Sequence, residues 1–356
     1  MEEKQLPRRP RLAAAAAVVG KILLIVLETA LLLVALLYGV MYVLTHGPSQ
    51  TAGQLFAMSV RETSAIGFLA DWFYTPRQLA EMEQGKTEYY FEETDTSLIT
   101  LPSPETQSST PGTADAWGLV DEDGDGIILQ EVHGSGYSGY MMVVLDPTRV
   151  IMGCHPESFG AHGYTVADMA ASFDAVAGIN AGGFVDPDGN GNGSIPDTLV
   201  VSEGKIYYAQ SGVGNGFVGL DADSRLHVGR LSEAEIRERN IQYGVCFGPV
   251  LVTNGEMAPA GTLVSGLNPR TAIGQRSDGA ILLLVIDGRQ VISLGATYAD
   301  LAEIMLSYGA VQACNLDGGS SSLLYYNGEY VNNCASVVGI RPVPSTFLVL
   351  KEGAAK

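Results

Sequence analysis

The chain has 356 residues, 39 acidic against 20 basic, yet only 17% are charged and the mean hydropathy is +0.17. That length sustains a real hydrophobic core, and the composition excludes disorder for most of it. The net charge of -19 argues against nucleic acid as a partner, because affinity there comes mainly from Lys and Arg neutralising phosphates.

High acidity and positive hydropathy conflict unless they belong to different segments, and the N-terminus separates them. Residues 1–21 form a basic tail with Lys4, Arg8, Arg9, Arg11 and Lys21, and residues 22–44 are uncharged apart from Glu28. At about 1.5 Å per residue that stretch makes a helix roughly 34 Å long, enough to cross a bilayer. Thr45, His46, Gly47 and Pro48 do not resemble a cleavage site, so the sequence predicts an uncleaved anchor. Basic residues precede the span and none follows before Arg61, which places the N-terminus in the cytoplasm and the remainder outside. Setting aside the five basic and three acidic residues of 1–44 leaves 15 basic and 36 acidic, a charge of -21 for the exported part. Its four cysteines, Cys154, Cys246, Cys314 and Cys334, are too few for a disulfide scaffold. Four buried thiols are expected, with Cys314 and Cys334 the pair to watch for a bridge.

Residues 45–116 read as a stalk and linker. Gln54 to Gly85 is predicted helical, with a restart at Thr75-Pro76, and serves as stalk or cap; residues 101–113 are a Ser, Thr and Pro cluster. The main domain, residues 117–356, opens with a predicted hairpin from Gly126 to Asp146. Asn254-Gly255 and Asn327-Gly328 mark two further hairpins. Thr165 to Phe173 and Thr297 to Tyr308 are predicted helices, each starting with Thr followed three residues later by Asp. The fold class expected is mixed α/β (α+β), rich in antiparallel sheet with a few helices.

The two helices open a weak internal repeat. TVADMA runs through AVAGIN to Gly182-Gly183, and TYADLA runs through AVQACNLD to Gly318-Gly319. If the units match in space, Asn180 and Asp317 end two strands beside one cleft.

P-loop, GxSxG, HExxH and zinc-type Cys/His spacings are all missing. The candidates are GINAGGF (178–184), NPRTAIG (268–274) and CNLDGGSSS (314–322), each joining an apolar strand to glycines and one Asn, Arg or Asp. Glycines let a ligand approach backbone N–H groups, so Asp317, Gly318, Gly319 and Ser320 are a candidate anion or sugar site, against a plain tight turn. Arg270 suits phosphate or carboxylate, against an ion pair within an acidic domain. Asp287 ends a buried strand before Gly288. Two loops resemble calcium ligands: Asp121, Asp123 and Asp125, and, fitting better, Asp186, Asp188, Asn190 and Gly191 with Asp197 at position twelve. The second also reads as a Gly-rich flap.

The spaced set INAGGF, FGP (247–249), PRTAIG and LDGGSS resembles the phosphodiester glycosidase family over about residues 126–350. The resemblance, in particular to anchored bacterial members of the exopolysaccharide type, implies hydrolysis of a sugar-1-phosphate diester at its C1–O bond. It implies catalytic roles for Asn180, Arg270, Asp287 and Asp317, and substrate contacts from Gly182, Gly183, Gly248, Thr271, Gly318, Gly319 and Ser320. A sugar-phosphate or glycopolymer substrate, the membrane as a partner through residues 22–44, and no nucleic acid are the expected partners; a calcium ion is the one cofactor considered. Two alternatives stay open: a non-catalytic envelope binding or assembly factor, and a serine hydrolase using Ser320 to Ser322.

Overall fold

The computed structural model describes residues 10–63, 66–83, 92–102, 111–186, 191–207, 216–336 and 339–353. Helix α1 (Pro10–His46) is longer than the predicted span, because the alanine run at 13–17 favours helix and extends it back into the basic tail. Its stretch Ala15–His46 is long and apolar enough to cross a membrane. The predicted stalk is three helices rather than one run: α2 (Gln50–Arg61), α3 (Phe68–Phe73) and α4 (Pro76–Glu83). Ser49 caps α2 by accepting the Ala52 N–H, and α2 stops where Glu62 turns toward the main domain.

The domain carries β1 (Ile127–Gly134), β2 (Tyr137–Val144), β3 (Val150–Cys154), α5 (Val166–Ser172), β4 (Ala175–Asn180), β5 (Val200–Ser202), β6 (Lys205–Tyr207), β7 (Phe217–Asp221) and β8 (Leu226–Gly229). It continues with α6 (Glu233–Glu238), β9 (Ile241–Val245), β10 (Val250–Thr253), β11 (Glu256–Met257), β12 (Arg270–Arg276), β13 (Ile281–Ile286), α7 (Tyr298–Ser307), β14 (Ala310–Asn315), β15 (Leu324–Tyr326), β16 (Glu329–Tyr330) and β17 (Ser345–Leu350). The strands form a seven-stranded sheet in the order β1-β2-β13-β12-β14-β10-β11 and two five-stranded sheets, β16-β15-β4-β17-β3 and β6-β5-β9-β7-β8. Every pairing between these strands is antiparallel, as expected for a mixed fold rich in hairpins. The Asn-Gly pairs make the predicted turns: Asn254, Gly255, Asn327 and Gly328 all have positive φ, the geometry that matches strand twist in a two-residue hairpin.

Strand β13 shows why the middle of the large sheet is a continuous apolar run. Ile281, Leu283 and Val285 enter the core shared with the other two sheets, while Leu282, Leu284 and Ile286 pack under α7 with Leu301, Ala302 and Met305. Side chains alternate along a strand, so covering both faces requires both sets to be apolar. The polar residues of function therefore gather where strands end. Thr297 and Asp300 close a reciprocal capping box on α7, and Thr165 accepts the Asp168 N–H on α5.

The segment before the domain is not a free tether. Thr94 Oγ1 donates to Val228 O at 2.8 Å, the Thr100 N–H donates to Ser277 O, and Asp115 pairs with buried Arg276 at 2.6 Å. All four cysteines are free thiols; Cys334 is half-buried and the other three are buried, so the Cys314–Cys334 bridge is not formed.

Candidate active site

The two repeat units meet at the C-terminal ends of β4 and β14, which lie in different sheets. The Asp317 N–H donates to Ala181 O at 2.9 Å, and Asn180 Nδ2 donates to Asp317 O at 2.6 Å. Asn180 Oδ1 accepts from Thr271 Oγ1 (2.9 Å) and from the Leu323 N–H (3.2 Å). Asn180 and Thr271 are fully buried, so they position the turn from beneath and do not face a ligand.

The turn itself runs from Asp317 through Gly318, Gly319 and Ser320 to Ser321. Gly319 has φ +63 and its N–H donates to Pro269 O, which ties the turn to the start of β12. The Asp317 side chain is half-buried, and burial pushes its carboxyl up to about 7. The charge of Asp197 adds to that rise, while a hydrogen bond from Ser321, the Gly318 N–H and the cation of Arg341 oppose it. Asp197 is itself raised, by burial above all. It sits over Gly183, where a Cβ would lie 2.6 Å from Asp197 Oδ2 and 2.9 Å from the Phe247 ring, so only glycine fits. Gly182 donates its N–H to Ser345 Oγ, and Asn315 Nδ2 donates to Gly248 O, bracing the floor.

Two arginines flank the turn. Arg341 lies over the Phe184 ring and pairs with Asp186 at 2.8 Å; its Nη1 is 3.4 Å from Ser320 Oγ. The Arg289 guanidinium packs against Gly319, with Nη2 3.2 Å from where a Cβ would stand. These groups assemble two carboxyls, both raised by burial and one further by the other's charge, beside two cations and a glycine turn. That combination suits acid–base work next to an anionic ester.

Other predicted residues are placed elsewhere. Asp287 is buried and accepts from Asn332 Nδ2, the Asn333 N–H and Asn333 Nδ2, so its carboxylate fastens the loop after β16. Arg270 is buried too: Nε donates to Ala296 O, and Nη2 donates to Gly266 O and to Glu62 at 2.7 Å, with the guanidinium over the Tyr298 ring. It meets a carboxylate of this same chain rather than an open cleft. The five histidines contact Thr45, Glu131, Glu157, Ser172, Tyr164 and Asp221, and among the described residues none reaches Ser320, Ser321 or Ser322, which leaves a serine nucleophile without its base.

Of the better calcium match, Asp186 is engaged within the protein. Arg341 and the Gly191 N–H outweigh burial and hold Asp186 below the ordinary carboxylate range, so its charge is already balanced; Asp188 and Asn190 lie outside the described residues. The ligand atoms of Asp121, Asp123 and Asp125 do gather within 4.8 Å of one another, a spacing a divalent cation can bridge. Their contacts run to Gly124, Gly126, Ile127 and Tyr326.

Sequence reasoning missed four residues, among them Arg289, which nothing in its segment marked. Asp197 drew notice only as a calcium position. Arg341 carried the signal that drew attention to Arg270, a lone arginine in an acidic chain. Glu62 sat in a predicted stalk with nothing to mark it.

Fold and site together define a mixed α/β protein with a carboxylate pair at a glycine turn. The sequence profile of the phosphodiester glycosidase family matches residues 173–350, half of the chain, and the chain belongs to that family. It is 33% identical over 181 residues to an SPbeta prophage-derived protein, YomE, of Bacillus subtilis, covering 48% of this chain and 27% of that one. It is 27% identical over 222 residues to mouse N-acetylglucosamine-1-phosphodiester alpha-N-acetylglucosaminidase, covering 56% of this chain and 42% of the enzyme. The chain thus spans less than half the length of these relatives. The zebrafish catalytic domain of the same name shares the fold, with a TM-score of 0.53 at 21% identity over 64% of this chain and 82% of that one.

Proposed function

We propose that the chain is a membrane-anchored glycosidase that hydrolyses a sugar-1-phosphate diester of the GlcNAc-1-phosphate type, in an envelope glycopolymer of the exopolysaccharide kind, outside the cytoplasm. The observation that carries this reading is the Asp317 carboxyl, raised to about 7 beside Asp197 at the Gly318–Ser320 turn. The family membership, the apolar helix α1 and the basic residues before it support the rest.

The bond to be broken joins C1 of the sugar to a phosphate oxygen. Phosphate leaves readily, so the reaction needs charge stabilisation more than a strong acid. Arg341 and Arg289, on either side of the turn, supply it together with the backbone N–H groups; Arg270, facing Glu62, braces the rim instead. A carboxylate with a pKa near the working pH is an effective base. Asp317, once ionised, either removes a proton from the water attacking C1 or attacks C1 to form a glycosyl ester that water then hydrolyses, the phosphate leaving with the C1–O electrons in both cases; burial first, and the charge of Asp197 second, raise the pH at which it ionises.

The test incubates the full chain with the methyl diester of GlcNAc-1-phosphate and follows free sugar. Release by the native chain, lost on Asp317→Asn, is expected. No release by either protein refutes hydrolysis and leaves a binding or assembly role.

A further inference from the structure

The rim of the site is fastened to the anchor. Glu62 pairs with Arg270 and accepts from Asn268 Nδ2, Ser59 Oγ accepts the Leu267 N–H at 2.7 Å, and Arg289 Nη2 donates to Thr63 Oγ1 at 3.0 Å. These contacts join the end of α2 to the start of β12, to which the Gly319 N–H ties the glycine turn, and to Arg289 in the loop after β13. On the other side, α3 lies against the spanning helix: the Phe73 ring is 6.0 Å from that of Tyr38, and Tyr74, just after α3, bonds back to Gly53 O in α2. Tyr38 lies in the last quarter or so of the apolar stretch Ala15–His46, about 12 Å of helix from its end. With α1 in a bilayer, α3 therefore rests at its surface, and the site rim rests one short helix away.

Two exposed apolar features lie in the segments next to the Arg289–Thr63 contact. Phe68 and Trp72 of α3 form an edge-to-face pair, 52% and 72% exposed. The turn after Arg289 shows Val291 at 100% and Ile292 at 80%, with Leu294 at 54%. A turn tip is ordinarily Gly, Asn, Asp or Ser. Here it carries two β-branched aliphatic side chains in a domain that is otherwise strongly acidic. The tip is held rather than loose: Gln290 and Ser293 exchange backbone hydrogen bonds, the Arg289 N–H donates to Leu294 O, the Leu294 N–H donates to Gly136 O, and Ser293 Oγ donates to Asp287 O. Exposed aromatic and aliphatic side chains beside an arginine, continuous with a spanning helix, match the interfacial layer of a bilayer.

We infer that this face docks on the outer leaflet, with Phe68, Trp72, Val291, Ile292 and Leu294 entering the interface. The site mouth is then applied to the membrane, and its substrate class is a sugar-1-phosphate diester of a long-chain alcohol. The docking rests on α1 spanning a bilayer, and the substrate class rests on the glycosidase reading.

The experiment reconstitutes the full chain in phosphatidylcholine vesicles with and without acyl-brominated lipid, using Ile292→Trp on a Trp72→Phe background. Trp117, packed on Arg276, is the internal reference. Strong quenching of the residue-292 signal, with Trp117 unaffected, is expected; equal emission in both vesicles overturns the docking. In the second arm, Val291→Ser with Ile292→Ser raises KM several-fold for a long-chain diester and leaves turnover of the soluble methyl diester unchanged. Equal effects on both substrates overturn the substrate class. Absence of turnover on either substrate by the native chain refutes the glycosidase reading, and with it the substrate class, while the quenching result still decides the docking.

Discussion

Replacing Asp317 by Asn should abolish turnover and make the protein more stable at neutral pH. An Asn is close in shape to a protonated Asp, so the substitution fixes the uncharged form that burial already favours. The carboxyl moves from an ordinary 3.8 to about 7 on folding, and at about 1.36 kcal/mol per pKa unit that linkage amounts to about 4 kcal/mol. The sign follows from the raised value: the stabilisation from holding the proton is complete below about 3.8 and is lost as pH rises through about 7. The native chain and the Asp317→Asn variant should then melt together at about pH 3.5 and separate above about pH 7, by on the order of 10 °C for a domain of this size. Calorimetry of the detergent-solubilised full chain at several pH values measures the gap. A gap that does not grow between acid and neutral pH would show that Asp317 is not held protonated by its surroundings, and the proposed base would lose its physical basis.

The same carboxyl sets the pH profile: kcat/KM rises through about 7 as Asp317 ionises, and Asp197→Asn, by removing a like charge, shifts that midpoint to lower pH. An unmoved midpoint separates the two carboxylates functionally. Arg341→Ala raises KM for the methyl diester by roughly 10- to 100-fold, the loss of one charged hydrogen-bonding partner, and Arg341→Lys recovers part of it; steady-state kinetics decide. Glu62→Ala leaves Arg270 buried without its carboxylate and destabilises the full chain by about 3 kcal/mol, read by denaturant titration, whereas a surface pair would cost almost nothing. Because residues 45–356 carry -21, moderate salt lowers KM for the anionic diester by screening long-range repulsion, measured between roughly 20 and 200 mM to span the useful Debye range.

Local chemistry was legible along the chain wherever one segment settles its own structure. The apolar length of α1, the Asn-Gly turns, the Thr caps of α5 and α7 and the strands flanking INAGGF and LDGGSS all follow from neighbouring residues, since propensity, capping and period act over a few positions. The glycine turn at Asp317 was legible for the same reason. What no segment carries is which side chains meet across the fold. Arg270 and Asp287 had the right chemistry for a site, but Glu62 and the Asn332–Asn333 pair, both distant in sequence, engage them within the protein. Asp197 and Arg341 took their places because β4 and β14, in two different sheets, bring their ends together and leave the neighbouring loops facing Asp317. Burial and charge–charge proximity are properties of that assembly, so the raised carboxyl that makes the site chemically useful exists only in the tertiary structure.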